Sequence, residues 1–145
     1  MPTCTFFGHR DCPDSVKPEL LAAIENLITE KNVRTFYVGN HGNFDRLTAS
    51  LLRDLSARRT DVKYYVVLAY LPTKAYNESH ESIFPEGIED VPRRFAIDFR
   101  NRWMIEKSDY VITYVSRGFG GAAKAKNYAE KHGKHIIEIS SPTSK

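Results

Sequence analysis

The stretch TFYVGNHGNFDRLTASLLRDL, residues 35–55, decides the fold. Thr35-Phe36-Tyr37-Val38 is short, β-branched and aromatic, the composition of a strand. Gly39 and Gly42 then break it. Beyond them Phe44, Leu47, Leu51, Leu52 and Leu55 recur at the i, i+3, i+4 spacing of one helix face. Asn43 is placed to cap that helix, and Asp45 falls in its first turn.

The same strand, turn and helix pattern repeats on both sides. Thr3-Cys4-Thr5-Phe6-Phe7 reads as a first strand, followed by a helix with Leu20, Leu21, Ile24, Leu27 and Ile28 on one face and Asp14 or Ser15 as its cap. Lys63 to Leu71 reads as a third strand, apolar enough at its centre to be buried on both faces. Pro72 to Pro92 holds three prolines and reads as irregular, the kind of long connection that serves as a lid or binding loop. A helix from about Arg93 to Ser108, a strand Tyr110 to Val115, a helix from Gly121 to His132 and a last strand His135 to Ile139 complete the chain. Gly133 stands where a helix C′ glycine belongs. Strands alternating with helices predict an α/β fold, a three-layer sandwich around a mostly parallel sheet of about five strands.

Composition sets the outer limits. At 145 residues and 41% hydrophobic content the chain reads as one domain over residues 1–145. Its longest apolar run, Tyr64 to Leu71, is eight residues, against the ~20 that a membrane span needs. The net charge of +3 is too mild to announce a nucleic-acid binder. Two cysteines make no disulfide framework, and the first residues lack the basic start of a signal peptide, so a reduced, cytoplasmic compartment is the simplest reading.

The glycines carry the functional signal. Gly8 follows the first strand, Gly39 and Gly42 the second, and Gly118, Gly120 and Gly121 the strand starting at Tyr110. All three clusters fall at strand C-terminal ends, the edge where open α/β sheets bind ligands. The helix that opens Gly120-Gly121-Ala122 has no capping side chain, so an anion can supply the acceptors its first N–H groups lack. Gly8-His9-Arg10 puts an imidazole and a guanidinium at the same edge. Asn40 and Asp45 flank the second turn, with Asp45 placed either to complement the helix dipole or to accept a hydrogen bond from a ribose or base.

In the helix from Arg93, successive ~100° steps put Arg100 inside an arc shared with Phe95, Ala96, Ile97, Phe99, Trp103 and Met104. A guanidinium among apolar side chains requires a carboxylate, carbonyls or a ligand phosphate. Arg102 falls opposite, between Asp98 and Glu106, as the middle of a solvent-facing ion-pair ladder. No dinucleotide, Walker A, nucleophile-elbow or zinc-protease motif occurs, and Cys4, His9, Cys12 and His41 lack zinc-ligand spacing. No cofactor and no metal are expected.

Phe7-Gly8-His9-Arg10, Gly39-Asn40-His41-Gly42-Asn43-Phe44-Asp45, Arg100-Asn101-Arg102-Trp103-Met104-Ile105, Ser108-Asp109 and Gly120-Gly121 occur in an order that resembles bacterial SLOG proteins. The resemblance runs from the first strand to about Tyr128. This superfamily has a Rossmann-like fold and includes relatives of cytokinin-activating phosphoribohydrolases and of DprA-type DNA-processing proteins. It implies a nucleotide or nucleotide-derived small molecule bound by Gly8, His9, Arg10, Gly39, Asn40, Gly42, Asp45, Arg100, Gly120, Gly121 and Ala122. Arg100 matches an arginine that the phosphoribohydrolases use at their active site. Those enzymes follow a Gly-Gly-x-Gly-Thr turn with a catalytic glutamate; here Ala122-Ala123-Lys124-Ala125-Lys126 follows Gly121, and no glutamate precedes Glu130.

The reading is therefore of a protein that binds or senses a nucleotide. The alternatives are phosphoribohydrolase cleavage of a nucleoside monophosphate, with Asp45, Glu86 or Glu89 as substitute acid, and single-stranded nucleic-acid binding, against which the dispersed lysines and arginines argue. A membrane partner is not expected, and a homo-oligomer is compatible with the sequence.

Overall fold

Alternating apolar runs separated by glycine turns fold into a parallel sheet covered on both faces in the computed structural model, which describes residues 2–70 and 81–140. The elements in chain order are β1 (Thr3–Gly8), α1 (Lys17–Lys31), β2 (Thr35–Val38), α2 (Asn43–Arg58), β3 (Lys63–Val67), β4 (Glu81–Ile83), α3 (Ala96–Glu106), β5 (Tyr110–Tyr114), α4 (Gly121–Lys131) and β6 (His135–Glu138). The strand order is β4-β3-β2-β1-β5-β6, with every neighbouring pair parallel. This is a doubly wound, Rossmann-like arrangement, and the winding reverses between β1 and β5.

The two faces of β1 show why both layers form. Cys4 and Phe6 point into the larger core with Leu20, Ile24, Leu27 and Ile28 of α1 and Phe44, Leu51 and Leu52 of α2. Phe7 points the other way, to Met104 and Ile105 of α3 and Ala125 and Ala129 of α4. Small alanines on α4 let that helix lie close to the sheet. Asn32 closes α1 in the left-handed region, at φ 59°, and the Val33 N–H returns to the Leu27 carbonyl. Gly133, at φ 70°, does the same after α4, as its position predicts.

Several expectations need correction. The sheet has six strands rather than about five. The extra one, β4, pairs Tyr65 with Glu81 and Val67 with Ile83 at the sheet edge, inside the stretch read as an irregular loop. From that stretch Ile88 also packs with Ala69 and Ala96, so residues 81–92 belong to the sheet edge and the start of α3 rather than to a lid; residues 72–80 lie outside the described residues. The third strand ends at Val67, and a 3-10 turn, Arg93–Phe95, precedes α3.

Neither proposed cap forms. A 3-10 turn over Asp14–Val16 leads into α1, and Gly42 is the N-cap of α2. Asn43 Nδ2 instead donates to the Cys12 carbonyl at 2.6 Å and to Asp14 at 2.8 Å, tying the two helix starts together. The ion-pair ladder on α3 does not form either. Asp98 takes Lys124 at 2.6 Å, Glu106 accepts from the Tyr128 hydroxyl at 2.6 Å, and Arg102 lies over the Tyr128 ring. Packing of α4 alongside α3 offers these side chains partners that a lone helix lacks. Among the described residues no helix is long and apolar enough to cross a membrane.

Candidate functional site

Where the winding reverses, the turns leaving β1 and β5 part and leave a hollow above the sheet edge. The hollow has a volume of about 270 Å³. Its lining brings together Gly8, His9, Arg10, Asp45, Arg100, Gly120, Gly121 and Ala122 of the residues expected from sequence. Gly39, Asn40 and Gly42 face a neighbouring depression of about 340 Å³, which also includes Asp45, Arg46, Ala49 and Val66. The second turn thus reaches the main hollow through His41 and Asp45, not through its glycines.

Arg100 is the centre of the site. It is 3% exposed, in the middle of the stripe Ala96, Arg100, Met104 that buries α3 against the sheet. Its Nε donates to Asn101 Oδ1 at 2.9 Å, and Nη1 donates to the Val67 carbonyl at 3.2 Å and to Asn40 Oδ1 at 3.3 Å. Nη1 also lies 3.5 Å from His41 Nδ1. Nη2 donates to no described residue, and no described carboxylate forms an ion pair with this guanidinium. Neutral carbonyl oxygens hold the arginine in place, and Asp45 acts on it through its field without forming an ion pair.

Asp45 lies close to Arg100 over the end of β2, and its Oδ2 accepts the His41 N–H at 2.9 Å. Burial pushes its carboxyl up to about 6, against the pull of Arg100, the His41 N–H and Arg10. Burial, with Arg100 and Arg10 beside it, pushes the His41 imidazole down to about 4. His41 is therefore neutral near pH 7, with Nδ1 turned to the Arg100 donor and Nε2 bearing the hydrogen. A Cβ on Gly39 would stand 2.8 Å from Asp45 Oδ2 and 3.0 Å from the Arg100 Cζ. Glycine there is what lets acid and guanidinium meet over the end of β2.

The other glycines divide into two kinds. At Gly8 a Cβ would clash with the Phe44 ring, and at Gly42 it would meet the Arg10 backbone at 2.7 Å, so both serve close packing. At Gly118, Gly120 and Gly121 a Cβ would meet nothing within 4 Å. The N–H groups of Gly121, Ala122 and Ala123 donate to no described residue, and Gly120 supplies no side-chain cap to α4. An anion entering the hollow finds these donors beside Arg100.

His9 is a structural contact as well as a wall. It is 3% exposed, and its Nε2 accepts the Ser116 N–H at 2.9 Å, which fastens the turn after β5 to the turn after β1. Burial and Arg117 lower its pKa, so it too is neutral. Arg117 reaches across from the β5 turn to Asp11, with N–O distances of 3.2 and 3.3 Å. Sequence reasoning missed Arg117, His41, Asn101 and Met104 as lining residues. His41 sits in a loop without periodicity, whereas Asn101 and Met104, beside Arg100 on the buried side of α3, were open to the same helical argument. Glu86 and Glu89 are exposed and outside the lining, which leaves Asp45 as the site's carboxyl group among the described residues.

Among the described residues no group of three His, Cys, Asp or Glu side chains could hold a metal ion. No protein-family model and no curated protein sequence matches the chain. The X-ray structure of DNA processing protein A (DprA) from Streptococcus pneumoniae matches it with a TM-score of 0.67 at 17% identity, over 95% of this chain and 50% of that chain. The chain thus spans half the length of that protein, and at this identity the likeness is one of fold.

Proposed function

We propose that this protein binds a nucleotide or nucleotide-derived phosphate ester in the hollow between the β1 and β5 turns, as a binding or sensing module. The observation that carries the reading is Arg100, buried to 3% exposure, with one nitrogen unbonded and no ion-paired carboxylate among the described residues. A phosphate seated between that nitrogen and the open N–H groups of Gly121 and Ala122 receives charge-assisted hydrogen bonds from both sides. Arg10 adds positive charge at the rim, where Arg117 is paired with Asp11. The resemblance to SLOG proteins, carried by the same turns and by Arg100, supports the same ligand class.

Isothermal titration with a panel of nucleoside mono-, di- and triphosphates tests this. At least one binds the wild type, and Arg100→Lys, with its fold checked by circular dichroism, weakens it at least tenfold, because a point charge cannot keep the Asn40, Asn101 and Val67 bonds while facing a phosphate. Absence of binding across the panel, or unchanged affinity in the variant, contradicts the proposal.

A second reading, N-glycosidic cleavage of a nucleoside monophosphate, draws on Asp45. It lines the same hollow with its carboxyl held near 6, the range of a general acid. Release of free base, lost in Asp45→Asn, supports cleavage; intact nucleotide after prolonged incubation leaves binding alone.

A further inference from the structure

The turn that opens α4 reads Ser116-Arg117-Gly118-Phe119-Gly120-Gly121. Phe119 is 70% exposed, well beyond Phe95 at 49% and Phe84 at 38%. A single exposed apolar side chain is ordinary on a protein surface and by itself means nothing. The surroundings of Phe119 are not ordinary. The glycines on either side offer no Cβ, and the space where one would stand is clear to 4 Å at both. The ring lies against the Arg117 guanidinium, whose Cζ is 5.4 Å from its centroid. Arg117, Gly120, Gly121 and Ala122 all line the hollow; Phe119 is not part of that lining, but its ring lies against Arg117, two residues before the first residue of α4.

Size links this ring to a ligand. The hollow's 270 Å³ is at the small end for ligand cavities, which start at about 300 Å³. A phosphate fixed at Arg100 and α4 lets the sugar fill the remainder and leaves any attached base at the mouth. Resting on the phosphate-binding reading of the site, we infer that Phe119 is the stacking platform for that base. The ligand class is then a nucleoside 5′-phosphate with a planar base, not a bare sugar phosphate. Stacking on a phenyl ring uses the π-face that every base has, so Phe119 selects for the presence of a base and discriminates little among bases. Arg117, against the same ring, strengthens the platform by cation–π attraction.

The experiment compares ribose 5-phosphate and AMP, which share the phosphate and sugar and differ by the base, on wild type, Phe119→Ala and Phe119→Trp by titration calorimetry. Phe119 is exposed, so neither change disturbs the core. Wild type binds AMP at least tenfold more tightly than ribose 5-phosphate. Phe119→Ala removes most of that advantage and leaves ribose 5-phosphate binding unchanged, while Phe119→Trp retains it. If both ligands bind wild type equally, or if Phe119→Ala leaves their ratio unaltered, the platform is refuted and the phosphate site stands. If neither ligand binds wild type, the phosphate site itself fails as a site for nucleoside monophosphates, and the platform with it.

Discussion

Asp45 and His41 are joined through a 2.9 Å hydrogen bond from the His41 backbone and share the field of Arg100. Their titrations oppose each other. The carboxyl of Asp45 is raised from 3.8 to about 6 by burial, so its contribution to stability is full below pH 3.8 and is lost as pH rises through 6. The imidazole of His41 is lowered from 6.5 to about 4, so its contribution is full above pH 6.5 and is lost as pH falls through 4. Between pH 4 and 6 the folded protein carries a proton on Asp45 and the unfolded chain carries one on His41. Asp45→Asn, whose amide oxygen can still accept the His41 N–H, removes one side of this balance. The variant is more stable than wild type at pH 7, by up to roughly 3 kcal/mol, and loses stability more steeply between pH 6 and 4. Urea unfolding at pH 4.5 and 7 checks both; parallel curves for the two proteins would show that Asp45 is not buried as an acid. At this scale the sequence was informative about Arg100, whose place in an apolar arc is visible from helical spacing. It singled out Asp45 as a candidate ligand contact but not its burial, because burial of a first-turn acid depends on which strand end faces it.

The elements explain why glycines of similar appearance have different roles. Gly8 ends β1 beneath Phe44 of α2, and a methyl group there has no room. Gly8→Ala therefore costs about 1–3 kcal/mol or more through overpacking. Gly121 begins α4 over open space, so Gly121→Ala keeps the thermal stability of wild type or raises it slightly. In a ligand titration Gly121→Ala has the opposite rank, because its methyl group would intrude on the proposed anion site. Melting temperatures in the reverse order, with Gly8→Ala the more stable, would overturn the assignment of Gly8 to close packing. Both glycines look alike in the sequence, as strand-to-helix punctuation. The helices and five of the strands were legible from periodicity and turns. β4 was not, since Glu81-Ser82-Ile83 is too short to show alternation and takes its strand form from pairing with Tyr65–Val67. Caps failed for a related reason: Asn43 and Asp14 find each other across the start of two helices, an interaction with no local signature.

The whole molecule supplies what neither residues nor elements contain, the strand order. Nothing in the periodicity of 145 residues states that β1 lies between β2 and β5, yet that order opens the hollow. The parallel registers Gly8 with Tyr114 and Val38 with Val66 then bring the turn glycines, His9, Asp45 and the start of α4 to one edge. The expectation that three turns converge holds for the first and the last; the middle one contributes His41 and Asp45 while its glycines look into the adjoining depression. The account rests on an anion occupying the junction of Arg100 and α4. Titration of AMP followed by ¹H–¹⁵N correlation spectra observes that junction directly. The backbone amides of Gly121 and Ala122 and the Nε–H of Arg100 are predicted to shift together along one saturable curve. Saturating AMP that leaves these resonances unmoved, or moves only signals remote from the β1 and β5 turns, would contradict it.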